Sequence, residues 1–383
     1  MSIVSRKSAW EVEELTQFRE LVRKFLEAEA VPHDERWRKQ KQVDPAFWRK
    51  AGELGLLCPS VPVEYGGGGG TYAHEAVVSE ELGHASLSSF GQAVHGPIAA
   101  AYLVHYGTEA QKQRWLPRMC TGELIGAIAM TEPGAGSDVQ GIRTSAVRDG
   151  DFYLLNGAKT FITNGHLAGL YLTAVKTDPA KGAKGTSLLM IETEGLTGFS
   201  RGRSLDKIGM QGSDTAELFF QDARVPVSAR LGEEGQGFGL LMKQLPQERL
   251  GIAVGAVASM ERALELTVAY VRERKAFGKP LMDLQNTRFK LAECAAIVRA
   301  SRALLDECIE KHVKGELTAA EASLAKQFTT DQQGVVLDEC VQLHGGYGYM
   351  AEYAVARMWA DARVQRIYGG ANEIMKELVA RAL

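Results

Sequence analysis

Three zones of different periodicity succeed one another along the chain. As far as about Cys120, apolar residues recur at helical spacing, broken by Pro59, Pro62 and the glycine run 66–70. From about Gly122 to Leu231 the pattern shortens to β-type runs at 125–130, 153–155, 171–175, 187–191 and 218–220. Arg148-Asp149-Gly150-Asp151 carries the Asp/Gly signal of a hairpin turn. From about Gly235 long helices return, and Ala253, Val257, Met260, Leu264, Val268 and Val271 mark one face. Gly235 and Gly237 read as a hinge-like entry into that helix.

Helices, then strands, then helices predict an α+β chain rather than alternating βαβ units. The expected division is an N-terminal helical domain over 1–121, a middle β domain over 122–232 and a C-terminal helical bundle over 233–383. The glycine run lacks the Lys-Ser/Thr of a phosphate loop, since Tyr72-Ala73-His74 follows it. A mobile surface loop is the expectation there.

Composition narrows the field further. With 383 residues, 45% of them hydrophobic, the chain can bury a large core. A formal net charge of −3 offers no basic excess for general nucleic-acid binding. The start, MSIVSRKSAWEVEEL, lacks an apolar signal core, so a cytoplasmic location is expected. No stretch is apolar for the ~20 residues a membrane span needs. The five cysteines form no CxxC pair and no metal-ligand spacing, so no metal site is expected. Cys294 and Cys308 fall on an apolar stripe and read as small core residues.

Two segments carry candidate chemistry. In Met130-Thr131-Glu132-Pro133-Gly134-Ala135-Gly136-Ser137-Asp138, proline and two glycines force an irregular backbone with N–H groups free for a ligand. The Thr131 and Ser137 hydroxyls can donate to carbonyl or phosphate oxygens. Taken alone, this is equally a tight, polar-lined β-loop. In Lys159-Thr160-Phe161-Ile162-Thr163-Asn164-Gly165, an aromatic ring and a hydroxyl stand two positions apart, on one face of a strand. That pairing suits a flat redox cofactor, and equally a buried Phe at a strand end.

Together with Arg274-Lys275-Ala276-Phe277-Gly278, Gln285, the segment from Gln342 to Gly348 and Ile367-Tyr368-Gly369-Gly370-Ala371-Asn372-Glu373-Ile374, these segments resemble the acyl-CoA dehydrogenase family in order and over nearly the whole chain. The resemblance implies FAD between the β domain and the C-terminal helices, in a homotetramer built as a pair of dimers. Met130, Thr131 and Ser137 would meet the flavin end or its phosphates, Thr163 the ring, and Phe161 would lie beside it. Many relatives carry Trp at the position of Phe161, and often Thr at that of Ala371. Arg274, Phe277, Gln285, Gln342, Gly345 and Gly346 would hold the adenine-diphosphate part from a neighbouring subunit, with Asn372 and Glu373 also near the cofactor. Without the family pattern, Arg274 reads as an exposed helix charge.

Dehydrogenation of a thioester needs a carboxylate to take the α proton while the β hydrogen leaves as hydride. Many relatives place that base in a Tyr-Glu-Gly sequence, where this chain has Tyr368-Gly369-Gly370. A smaller branch carries it on the helix after the β domain, and Leu245-Pro246-Gln247-Glu248-Arg249-Leu250 resembles that branch. Glu248 is therefore the expected base, with Gly369 leaving room for its carboxylate. The plainer reading makes Pro246 a first-turn proline and Glu248 a charge at the positive helix end. Ser137, Arg249, Tyr368, Gly369 and Gly370 would line the thioester, Arg249 alternatively forming a surface salt bridge. Small residues at Ser88, Ser89, Gly91 and Gly96 would permit a deep acyl pocket for a medium-to-long or branched chain. An electron-transfer flavoprotein is the acceptor the resemblance implies. An oxidase or a carrier-protein-linked dehydrogenase on the same scaffold, and a non-catalytic acyl-CoA-binding protein, are the other readings.

Overall fold

The computed structural model describes residues 8–383, so part of the N-terminal stretch read above for charge lies outside the described residues. The first helical layer comprises α1 (Glu13–Glu29), α2 (Asp34–Gln40), α3 (Pro45–Glu53), α4 (Tyr72–His84), α5 (Gln92–Val94), α6 (Ala101–Tyr106) and α7 (Glu109–Cys120). Thr71 and Thr108 start α4 and α7 with capping boxes, satisfying N–H groups that a helix start leaves open. Between α5 and α6 the helical path runs through a π-turn, His95–Ala100.

The middle of the chain forms one sheet, in the order β6-β7-β3-β2-β4-β5-β8, with β1 paired parallel to β4. Its strands are β1 (Gly126–Ala129), β2 (Ser145–Asp149), β3 (Phe152–Thr163), β4 (Leu170–Lys176), β5 (Thr186–Glu192), β6 (Phe199–Ser204), β7 (Thr215–Pro226) and β8 (Arg230–Leu231). β2 and β3 join as the expected hairpin, Asp149 opposite Phe152, with Gly150 in the left-handed region. β4 and β5 are buried almost throughout, which is why they read as continuous apolar runs.

The C-terminal layer holds α8 (Gly237–Glu273), a small hairpin of β9 (Lys275–Ala276) and β10 (Lys279–Pro280), then α9 (Gln285–Val313), α10 (Ala319–His344), α11 (Ala354–Ala362) and α12 (Asn372–Ala380). On α8 the predicted face packs inward, with Ala253, Val257, Met260, Leu264 and Val271 buried. Cys294 and Cys308 are buried on α9, and all five cysteines are free. The α+β division into helical, β and helical layers stands as expected.

α8 is keyed to the first layer by a buried ion network. Arg302 on α9 donates to Glu261 on α8 (2.9 and 2.7 Å) and pairs with Glu80 on α4. Arg19 on α1 reaches Glu80 at 2.6 Å and Glu81 at 2.9 Å. Removing one member of such a buried set leaves a charge unpaired, at a cost of about 3–5 kcal/mol.

Two expectations change. The glycine run is not a loose surface loop: Gly69 donates to the Val61 carbonyl (2.9 Å) and Gly70 to that of Pro59 (2.9 Å). Cβ atoms at Gly67 and Gly68 would collide with backbone of Val61 and Pro59. The glycines serve close backbone approach. Likewise, Cβ atoms at Gly91 and Gly96 would collide with Asn164 and the Leu57 carbonyl, and buried Ser89 donates to Asp34 at 2.7 Å. At these three positions smallness is explained by close packing.

Candidate active site

Glu248 lies within α8, eleven residues after its first residue, Gly237. Pro246 is inside the helix rather than in its first turn, so Glu248 is too far in to be a dipole-stabilising charge at the start. Its side chain is buried, and the Tyr102 hydroxyl donates to Oε1 at 3.0 Å. Burial pushes the Glu248 carboxyl up to about 7, against the Tyr102 hydrogen bond and the nearby Arg249 charge, which both pull it down. Among the described residues no salt bridge reaches it. A carboxylate near neutral pKa, held without a cation in contact, is equipped to take a proton from a weak carbon acid.

Successive helix residues point about 100° apart, so Glu248 and Arg249 diverge. Glu248 turns to α6, while buried Arg249 donates to Ser323 on α10 at 3.2 Å, its Nε having no partner. Arg249 is thus buried and not in a surface salt bridge. Ile252, one turn beyond Glu248, lies against Gly369 of the segment before α12. A Cβ at Gly369 would collide with Ile252 Cδ1, and the residue sits at φ +62°. The reason for glycine therefore changes: the space is taken by Ile252 on the Glu248 helix, not left vacant for the carboxylate.

Behind this segment stands Lys326, fully buried on α10 and unforeseen from the sequence. It donates to the Gly370 carbonyl (2.7 Å) and to Asn372 Oδ1 (2.8 Å). Burial lowers Lys326 to about 8, with Arg249 adding to the effect. Asn372 also donates to Thr330 (2.9 Å) and Asp331 (2.9 Å), so its amide is committed to fixing the loop. Tyr368 and Glu373 on either side are exposed.

The two candidate cofactor segments meet. Lys159, wholly buried on β3, donates to the Met130 carbonyl (3.0 Å) and to Glu132 (2.9 Å). Glu132 also accepts from the Arg143 and Thr144 amides, at 2.6 and 2.9 Å. Thr131 donates its hydroxyl to the Thr160 carbonyl at 2.5 Å, which joins the two segments directly. Pro133 and Gly134 form the exposed tip of a turn closed by the Glu132–Ala135 bridge, and Gly136 and Ser137 follow it, also exposed. On β3, a register shift between Lys159 and Ile162 puts Phe161 at φ +58° with 70% of its surface exposed, and Thr163 follows half-buried. A bulky side chain in that region is strained by about 1–3 kcal/mol. Asn164 closes the segment, donating to the Gly91 and Gly126 carbonyls at 3.1 Å each. That ties β3 to the helical path that carries Tyr102.

The remaining predicted residues lie apart from this cluster, along the outer C-terminal layer. Arg274 ends α8 beneath the Tyr347 ring, 5.7 Å from its centroid. Phe277 and Gly278 form the tip of the β9–β10 hairpin, both at positive φ, and Phe277 is 92% exposed. Gln285 starts α9, while Gln342, Gly345 and Gly346 lie at the exposed end of α10. No group of His, Cys, Asp and Glu that could hold a metal occurs among the described residues.

A strained, presented ring on the sheet and a buried carboxyl group on the following helix stand together in one helix–sheet–helix chain. The chain belongs to the acyl-CoA dehydrogenase family: the patterns of its N-terminal, middle and C-terminal domains match residues 12–123, 127–223 and 235–383. The long-chain specific acyl-CoA dehydrogenase of Sus scrofa mitochondria is 48% identical over 96% of this chain and 85% of its own length. An acyl-CoA dehydrogenase from Geobacillus kaustophilus superposes with a TM-score of 0.95 at 48% identity, covering 98% of this chain and 99% of that one. A Mycobacterium smegmatis glutaryl-CoA dehydrogenase in complex with FADH2 superposes at 0.90 with 29% identity, covering 97% and 94%.

Proposed function

We propose that this chain dehydrogenates an acyl-CoA thioester to the trans-2-enoyl-CoA, with Glu248 taking the α proton. The observation that carries the assignment is the Glu248 carboxyl group: buried on α8, raised to about 7 and held by Tyr102, while position 369 carries no side chain. At neutral pH about half of such groups are ionised in the free enzyme, which is where a general base works best.

FAD suits the residues present. Phe161 and Phe277 each hold a bulky ring in the left-handed region and expose most of it, which fits a flat group covering the first and a second copy of the chain meeting the second. When bound, FAD supplies the acceptor for the β hydride. Met130, Thr131 and Ser137 would hold its flavin end or phosphates, with Thr163 and Phe161 at the ring. Arg274, Phe277, Gln285, Gln342, Gly345 and Gly346 of a neighbouring copy would hold the adenine-diphosphate part in a homotetramer. Asn372 would act there through the loop it fixes, with Glu373 beside it. Tyr368, Gly369 and Gly370, with Ser137, would line the thioester, and Arg249 would bias the site's charge from behind. The domains would divide at 121/122 and 232/233.

Similarity to long-chain enzymes supports a medium-to-long or branched acyl group. Similarity to a structure of the electron-transferring flavoprotein system of Acidaminococcus fermentans supports an electron-transfer flavoprotein as acceptor. Five buried free cysteines suit a reducing compartment, here the cytoplasm. No helix among the described residues is long and apolar enough to cross a membrane.

Anaerobic stopped-flow mixing with thioesters of increasing length tests the reading. Rapid bleaching of the flavin absorbance, strongest for the longer or branched chains, with slow reoxidation in air, is expected. Fast peroxide formation would instead make it an oxidase, bleaching only by carrier-bound thioesters would change the substrate class, and no bleaching with any thioester would leave a binding protein.

A further inference from the structure

The residue that touches the Glu248 carboxyl group is Tyr102, and its placement depends on an irregularity in the first helical layer. In the run 92–106, Gly96 lets the helix press against the Leu57 carbonyl, and Pro97 lacks an N–H and crowds the preceding turn. The path widens into the π-turn His95–Ala100. One extra residue in a turn rotates everything after it by about 100°. α6 therefore presents Tyr102, fully buried, to α8. The π-turn is also grasped from α8 by the residue beside Glu248: Gln247 donates to the Pro97 carbonyl at 2.7 Å. Two successive residues of α8 are thus fixed to one irregular helical path.

The hydrogen bond is asymmetric. Tyr102 occupies Oε1 at 3.0 Å, and among the described residues nothing hydrogen-bonds to Oε2, which is not among the fully buried polar atoms lacking a partner. We propose that Tyr102 is a positioning residue that reserves Oε1 and thereby makes Oε2 of Glu248 the atom that takes the α proton. This rests on the assignment of Glu248 as base. In the step, the α C–H bond breaks and an O–H bond forms at Oε2. The electron pair of that C–H bond becomes the new C=C π bond, while the β hydrogen leaves with its own pair as the hydride of the proposed dehydrogenation. Oε1 changes from carboxylate oxygen to acid carbonyl and still accepts from Tyr102. The carboxyl group keeps its orienting bond in both protonation states and need not rotate between them.

The charged and titratable groups around the pair come from α6, α8, α9 and α10. Tyr106 neighbours Tyr102 on α6, Arg249 neighbours Glu248 on α8, Lys326 stands behind Arg249 on α10, and His312 on α9, lowered to about 4 by burial and by His105, hydrogen-bonds Gln247 at 3.2 Å. Burial and the Glu248 charge push the Tyr102 hydroxyl up, so it remains a donor throughout the working range.

The test uses the FAD-loaded enzyme and Tyr102→Phe, which keeps the ring. Rates of anaerobic flavin bleaching by dodecanoyl-CoA are measured between about pH 5.5 and about pH 9, with binding of a non-reducible thioether analogue measured alongside. Losing a hydrogen bond to the ionised form raises the base's pKa, so the acid limb is expected to move up by about one to two units. Analogue affinity should be unchanged. Site-specific difluorotyrosine at position 102, a stronger donor, should move the limb the other way. A limb that stays in place, or a loss equal at every pH, overturns the proposal. Glu248→Gln separates the two claims: near-normal bleaching in that variant removes the base itself. A silent Glu248→Gln beside an unshifted Tyr102→Phe removes only the role of Tyr102.

Discussion

If Glu248 is kept buried for chemistry, it should cost the fold stability, and Glu248→Gln should recover it. Burial raises this carboxyl from an ordinary 4.5 to about 7. A group whose folded pKa is raised contributes most below its unfolded value, and that contribution is lost as the pH climbs through the folded value. At about 1.4 kcal/mol per pKa unit, the loss amounts to about 1 kcal/mol at pH 5.5 and about 3 kcal/mol above pH 7.5. Because the group is nearly free of solvent, little of this is screened away. Glutamine keeps the volume and can still accept from Tyr102, but carries no charge to desolvate. Thermal unfolding of both proteins, saturated with FAD, should give melting points that coincide near pH 4.5 and diverge with rising pH. At roughly 2 °C per kcal/mol for a large chain, the variant should lead by several degrees at pH 8. A constant difference across pH, or a variant less stable at pH 8, would refute the view that the carboxyl is held against its solvation.

Three further outcomes follow from the same contacts. Lys159→Met strands Glu132 as an unpaired buried charge, a cost of about 3–5 kcal/mol. It should lower the melting point and weaken FAD binding in a fluorescence titration, and unchanged values in both would mean the pair does not hold the cofactor loop. Gly369→Ala adds a Cβ at positive φ and against Ile252, for a loss of about 1–3 kcal/mol, part of which Ile252→Ala should return in the double variant. Equal melting of all three proteins would show that the contact is unimportant. Arg274→Ala should lose FAD on dialysis and sediment as a smaller species, and a yellow tetramer of normal size would count against a cofactor site shared between copies.

Much of the fold was legible because its signals are local. The switch from helical to β periodicity near Gly122, the Asp149-Gly150 hairpin turn and the buried stripe on α8 each depend on residues within a few positions of one another. So do the two cofactor segments as candidates, whereas Glu248 was singled out only by the resemblance to the branch with Gly at position 369. What escaped lies in partners distant along the chain. Tyr102 is 146 residues from Glu248, Lys326 is 46 from Asn372, and Lys159 is 27 from Glu132. No periodicity or turn signal announces such pairs. Pro246 misled because proline is commonest in a first turn, whereas here α8 begins nine residues earlier on Gly237 and glycine-rich sequence with weak helix propensity. The small residues at Gly91 and Gly96, and the glycine run, signalled close approach of backbone, which composition alone does not distinguish from an open pocket or a loose loop.

The central claim is that the carboxyl of Glu248 takes the α proton. Rapid anaerobic mixing of Glu248→Gln with a saturating long-chain acyl-CoA tests it most directly, with the spectral shift on binding followed in the same traces. The account predicts a yellow enzyme that binds thioester normally and bleaches about 10²-fold or more slowly than the unaltered protein. Bleaching at close to the unaltered rate would place the base elsewhere and contradict the account.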